Sequence, residues 1–260
     1  ILMVGGIDKY FQIARAYRDE DPRSDRVTEH TQLDVEMSFV EREDVMVLVE
    51  EMMIEIVKTA TPHKRIQQVP FPRLSYAEAM EKYGSDKPDL REDKNDPNLL
   101  AFCWVVDFPF FEKVDNGWTF SHNPFSAPKT EHREWLMAKE HIGDILTTQY
   151  DVVLNGCEVG GGSIRNHQPE ALRKVFEILG HSDQEIEDKF GHMLEAFSYG
   201  APPHGGIGPG LDRLVMILAG EPNIREVIPF PKTGDARDVL MGAPAPVPQK
   251  ALDDVHIRFT

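Results

Sequence analysis

Cysteine is nearly absent. The two present, Cys103 and Cys157, stand far apart and make no CxxC pair. That argues against a disulfide framework and fits buried thiols in a reducing, cytoplasmic setting. Long apolar runs are missing as well. No segment approaches the roughly 18 apolar residues of a membrane span. The opening ILMVGGIDKY carries no basic n-region, so no signal peptide is expected. It also lacks an initiator Met, so Ile1 is not expected to be the natural start. Positive charge is scarce: 28 Lys and Arg face 44 Asp and Glu, a net charge of −16. This argues against non-specific binding of nucleic acid, which needs basic side chains on phosphates. It still allows a protein that handles RNA through a local basic surface or a part elsewhere. There is no GxxxxGK[ST] loop, no GxGxxG turn, no internal repeat and no low-complexity tract.

What is present suffices for a substantial core. The 260 residues are 41% apolar, enough for one large domain or two small ones. Phe11, Ile13, Arg15 and Tyr17 alternate with Gln12, Ala14, Ala16 and Arg18. Leu33, Val35, Met37 and Phe39 alternate with Gln32, Asp34, Glu36 and Ser38. Period 2 predicts two strands, and it puts Gln32, Asp34 and Glu36 on one face. The segment between them, RDEDPRSDRVTEH, is too long and too charged for a tight turn. On these residues alone, a solvated hairpin with a wet charged loop accounts for the pattern equally well.

Further along, Val45, Leu48, Val49, Met52, Met53 and Ile56 predict a helix over Asp44–Ala60, with Glu50, Glu51 and Glu55 on its opposite face. Ser75 and Glu78 form a capping-box pair for a short helix over Tyr76–Tyr83, stopped by Gly84. YGSDKPDLR reads as polar and extended. EDKNDPN, Glu92 to Asn98, reads as a linker or excised junction, and AFCWVVDFPFFE as one apolar strand.

YDVVLNGCEVGGGSIRNH holds Asn155–Gly156 between alternating residues, a strong hairpin signal. A two-residue turn pairs Val153 with Glu158 and Asp151 with Gly160, so Asp151, Glu158, Gly160 and Gly162 are expected on one face. Two carboxylates there suit Mg²⁺, which takes one or two protein carboxylates plus phosphate oxygens. A solvent-facing acidic hairpin explains the same residues. Simple parity puts Arg165 on the opposite face from Glu158 unless a bulge resets the register. Finally, Gly206, Gly208 and Gly210 precede a predicted helix with Leu211, Leu214, Val215 and Leu218 on one face and Arg213 near its start. A cation there, with the helix dipole, can meet phosphate.

Three of these stretches carry a resemblance. Leu2 to Phe39 resembles the second signature motif of class II aminoacyl-tRNA synthetases, in the form found in bacterial aspartyl-tRNA synthetases. EVGGGS-R-H resembles a strand of their catalytic sheet. Tyr199 to Lys232 resembles their third motif. The resemblance covers nearly all of the chain. It implies an α+β fold, an antiparallel sheet flanked by helices. It also implies activation of L-aspartate by ATP to an adenylate, transfer to tRNA(Asp), Mg²⁺ as cofactor, and a cytoplasmic homodimer; whether tRNA(Asn) is a second acceptor is left open by these residues.

By the same resemblance Arg18 would clamp the α-phosphate, and Glu20 and His30 would hold adenine, His standing where the family often has Phe. Arg26 and Arg213 would take the distal phosphates, with Arg18, Glu158 and Arg213 as the catalytic set. Asp151 and Glu158 would bind Mg²⁺. Asp34 would receive the substrate ammonium, and Arg165, with His122 beside it, the side-chain carboxylate. Asn123 stands where the family shows a second histidine. Against this pattern the chain is a partial catalytic domain, residues 1–260, without an anticodon-binding domain or first class II motif. The insertion domain of the bacterial enzymes is missing near 91–98. The alternatives are an asparaginyl-tRNA synthetase and a non-catalytic class II paralogue that binds nucleotide or protein. Intact Arg18, Glu158 and Arg213 speak against the latter.

Overall fold

The structure is a computed structural model that describes residues 1–258. Its strands are β1 (Lys9–Tyr17), β2 (Glu29–Ser38), β3 (Arg65–Ile66), β4 (Arg73–Ser75), β5 (Leu99–Leu100), β6 (Phe102–Val106), β7 (Phe111–Val114), β8 (Gly117–Phe120), β9 (Gln149–Leu154), β10 (Cys157–Ile164) and β11 (His204–Pro209). Its helices are α1 (Arg42–Ala60), α2 (Tyr76–Tyr83), α3 (Arg133–Ala138), α4 (Pro169–Ile178), α5 (Asp183–Ser198), α6 (Leu211–Ala219) and α7 (Gln249–Asp254). The chain divides into two compact units. The first takes in Ile1–Ala14 and Thr31–Leu211, the second Arg15–His30 and the chain from Asp212 onward.

Seven strands form one sheet in the order β1-β2-β11-β10-β9-β6-β4. The β2/β11, β11/β10, β10/β9 and β9/β6 pairings are antiparallel, and β4 joins β6 in parallel. This is the α+β arrangement expected from the sequence. One sheet face carries Trp104, Tyr150, Val152, Leu154 and Ile207, all buried. Helix α1 contributes buried Val45, Met46, Val49, Met53 and Val57 to the core. Glu50 also faces inward, against the expectation that it lies with the solvent-facing glutamates. It is 7% exposed, and it accepts from the Phe71 N–H and the Trp104 Nε1–H. A helical wheel ranks Glu as outward because it cannot foresee two buried donors that need an acceptor. Leu48, expected in the apolar stripe, is exposed.

Helix α2 forms as predicted, with the Ser75–Glu78 capping box and Gly84 in the left-handed region at its end. The apolar segment after it is two strands rather than one. Asp107 takes φ 59° between β6 and β7, and its carboxylate pairs with Arg42 and Lys129.

Candidate active site

The hairpin between β9 and β10 turns at Asn155–Gly156, with φ 50° and 85°. Both values are positive, as the tightest right-twisting hairpin turn requires. The Asn155 side chain fixes the turn to its neighbours, accepting from the Ala101 N–H and donating to the Leu99 carbonyl.

The register differs from simple parity. Cys157 pairs Leu154 and Glu158 pairs Val153, but the register then shifts: Gly160 pairs Val152 and Gly161 pairs Asp151. The extra residue, Val159, is a β-bulge. Asp151, Val153 and Glu158 share one face, as expected. Gly161, not Gly160 or Gly162, joins them there, and so do Ser163 and Arg165. The bulge therefore carries Arg165 to the Glu158 face. Gly162 faces the other way, where a Cβ would stand 2.7 Å from the Tyr150 ring.

Gly161 is what brings the carboxylates together. A Cβ at this position would lie 2.8 Å from Asp151 Oδ1 and 3.4 Å from Glu158 Oε1, so both oxygens converge on the space a side chain would fill. Asp151 is 4% exposed and accepts from Gln149 Nε2 at 3.2 Å. Burial first, then the Glu158 charge, holds its carboxyl well above the usual aspartate range. A cation would relieve both effects. Among the described residues no group of three His, Cys, Asp or Glu could hold a metal. Two carboxylates alone match a hard ion that draws its other oxygens from water or phosphate.

Beside them lies a floor of glycine. The sequence reading placed Gly206 and Gly208 in a turn before a helix; they are in β11, at the middle of the sheet. Gly206 pairs Glu36 and Ser163, and Gly208 pairs Gly161. A Cβ on Gly206 would collide with the Val35 carbonyl oxygen and with Glu36 Oε2, and one on Gly208 with Gln32 Nε2. Glycine fits here because the β2 backbone and its polar side chains occupy the space a Cβ would take. Gln32 donates to Asp34. Arg165 donates to Glu36 through Nε and Nη2, each at 3.0 Å, and to Ser163 Oγ through Nη1 at 3.2 Å. Glu36 thus takes one edge of the guanidinium. Its other end, where Nη1 meets Ser163, has the fork geometry that matches a second carboxylate.

His122, expected beside Arg165, follows β8 in the first unit. Its ring packs edge-on to Phe108 at 4.6 Å between centroids. Burial lowers its pKa, and the charges acting on it are those of Asp86, Glu158, Glu112 and Lys87. It belongs to the carboxylate end of the platform.

In the second unit, Arg26 Nε lies 3.3 Å from Glu20 Oε2 and Arg18 Nη1 4.0 Å from Glu20 Oε1. Arg213 donates from Nε to the Asp25 carbonyl at 3.1 Å, with Nη2 3.7 Å from the Asp25 carboxylate. Arg23 and Arg26 close the turn that presents Asp25. His30 lies in the field of Arg18, Glu20, Asp212 and Arg213; burial, then Arg18, lowers its pKa. The sequence reading gave Asp25, Glu36, Gln149 and Lys87 no role. Only Glu36 carried a signal, as the third in-register polar residue of β2.

Residues 1–234 match a family described as tRNA synthetases class II (D, K and N). The aspartate–tRNA(Asp/Asn) ligase of Chlorobaculum parvum is 37% identical, with 99% of this chain and 63% of that protein covered. That of Dehalococcoides mccartyi is 35% identical, covering 100% and 65%. The chain therefore spans just under two thirds of these relatives' length. Among solved structures, an aspartyl tRNA synthetase from Entamoeba histolytica aligns with TM-score 0.65 and 25% identity, over 92% of this chain and 50% of that one. An asparaginyl-tRNA synthetase of the same organism, in complex with asparaginyl-adenylate, shares the fold with TM-score 0.63 at 22% identity, over 88% of this chain and 54% of that one. No helix among the described residues is long and apolar enough to cross a membrane. With the glycine-floored antiparallel sheet and its polar face, these matches establish that the chain belongs to the class II tRNA synthetases of the D, K and N group.

Proposed function

We propose that the protein is an aspartate–tRNA ligase. It activates L-aspartate with ATP to aspartyl-adenylate and pyrophosphate, then transfers aspartate to tRNA(Asp), and to tRNA(Asn) as the relatives' names suggest. The observation that carries this reading is Arg165, held by Glu36 with its far edge presented on the glycine-floored face. A guanidinium so placed favours an anionic side chain. A neutral amide gains less from it, which disfavours the asparaginyl reading.

The nucleophile is the substrate's own α-carboxylate. Its oxygen attacks the α-phosphorus and pyrophosphate leaves, so the protein's work is orientation and charge stabilisation. Asp34 would receive the ammonium and Arg165 the side-chain carboxylate. Arg18 would hold the α-phosphate, Glu20 and His30 the adenine, and Arg26 and Arg213 the distal phosphates. Asp151 and Glu158 would hold Mg²⁺, which when bound neutralises phosphate charge. The match to the Chlorobaculum relative runs over 383 residues, longer than this chain. That supports an insertion domain in relatives that this chain lacks, expected near 91–98. A homodimeric, cytoplasmic enzyme is part of the same reading.

Amino-acid-dependent ATP–pyrophosphate exchange tests it. Aspartate is expected to drive exchange and asparagine not to. Exchange with asparagine alone would make the protein an asparaginyl enzyme, and ATP binding without exchange a non-catalytic paralogue.

A further inference from the structure

Glu158 does not face its neighbour Asp151 without a counter-charge. Lys87 Nζ lies 3.2 Å from Glu158 Oε2. Lys87 belongs to the loop after α2, the YGSDKPDLR stretch, and that loop is fixed at several points. The Lys87 N–H donates to Ser85 Oγ. Asp89 accepts from the Arg91 N–H, Nε and Nη2. Leu90 packs against the cluster of Ala79, Cys103, Val105, Phe108 and Val153. At the hairpin turn, a Cβ on Gly156 would stand 3.3 Å from Asp89 Cβ, so the loop rests on the tip that positions Glu158. The ammonium is delivered by an ordered segment, and both side chains are about one-third exposed, 34% for Lys87 and 30% for Glu158.

Around this ammonium stand Asp151, Glu158 and Asp86, and the charges of Glu158, Asp86 and Lys87 all act on Asp151. An ammonium and a divalent cation seek the same oxygens, and each repels the other at a distance of a few ångströms.

We propose that Lys87 is a built-in counter-cation of the Asp151–Glu158 pair, holding Glu158 while no metal is bound and weakening the pair's grip on a free divalent cation. The inference rests on the reading of these two carboxylates as the cation site. Its consequence is an order of loading. The bare protein holds the cation poorly, and the cation enters with the nucleotide, whose phosphate oxygens complete its shell and offset the displaced ammonium. Lys87 is thus a positioning residue, acting on the carboxylates rather than on substrate.

The test is Mn²⁺ binding to the nucleotide-free protein, read by the loss of the free-ion EPR signal. Lys87→Met keeps the length and removes the charge; its Mn²⁺ dissociation constant is expected to fall about tenfold. Lys87→Arg keeps the charge and is expected to stay near wild type. In EDTA the Met variant is expected to melt below wild type, with Mn²⁺ closing the gap. Binding by wild type that the Met variant leaves unchanged or weakens would overturn the role of Lys87 and leave the carboxylate site standing. Absence of binding in both, with Glu158→Gln indistinguishable from either, would overturn the cation site and the inference together.

Discussion

The Arg165–Glu36 pair gives the sharpest energetic expectation. Both guanidinium–carboxylate bonds are 3.0 Å, and each side chain is 24% exposed. Breaking a fully buried pair by removing one partner costs about 3–5 kcal/mol, because the other charge is stranded. Partial exposure lowers that figure, so Arg165→Leu and Glu36→Leu are each expected to cost about 2–3 kcal/mol of stability. The double variant strands neither charge. It is expected to cost no more than either single change, a coupling of about 2 kcal/mol or more. Urea unfolding of the four proteins, followed by circular dichroism, measures the cycle. Additive costs in the double variant would show that the pair is not coupled, and would refute the idea that Glu36 holds Arg165 in place. The same cycle bears on activity. Loss of aspartate activation in Arg165→Leu mixes a lost substrate contact with a stranded Glu36, and only the double variant separates them.

Asp151→Asn removes a carboxyl that burial and Glu158 hold above the usual range. A raised folded pKa means that ionised Asp151 opposes folding at neutral pH, so its contribution is best below the unfolded pKa and is lost as pH rises through the folded one. The metal-free variant is therefore expected to melt a few degrees higher than wild type at pH 7, with the difference vanishing toward pH 3, while losing Mn²⁺ binding; a lower Tm at pH 7 would contradict this. Glu50→Ala strands the Phe71 N–H and Trp104 Nε1–H. It is expected to cost about 2–4 kcal/mol in urea unfolding, with Glu50→Gln milder; a loss under 1 kcal/mol, on the order of a surface substitution, would contradict a buried acceptor role.

Local signals in the sequence translated directly into structure. Asn155–Gly156 sets its turn by the positive φ that those residues tolerate. Ser75 and Glu78 cap α2 through bonds that span only three residues. The period-2 run of β2 places Gln32, Asp34 and Glu36 on one face because parity holds along an unbroken strand. What escaped depends on partners distant in sequence. The bulge at Val159 leaves no mark beyond a glycine run, yet it decides which face Arg165 occupies. Glycine has poor strand propensity, so β11 reads as a loop until Glu36 and Gln32 are known to fill the space above it. Glu50 is drawn inward by two donors from other elements, and Lys87 reaches Glu158 across 71 positions of chain, beyond any local pattern. The matched residues of the two units were nameable from motif resemblance, whereas their protein partners required coordinates.

The central claim is that Arg165 selects an anionic side chain. The most direct measurement is calorimetric titration of two stable adenylate analogues, the sulfamoyl forms of aspartyl- and asparaginyl-adenosine, which differ at a single carboxylate. The account expects the aspartyl form to bind roughly 10- to 100-fold tighter, since hydrogen bonds to charged groups are worth about 1.5–3 kcal/mol. Equal affinities, or tighter binding of the asparaginyl form, would contradict it.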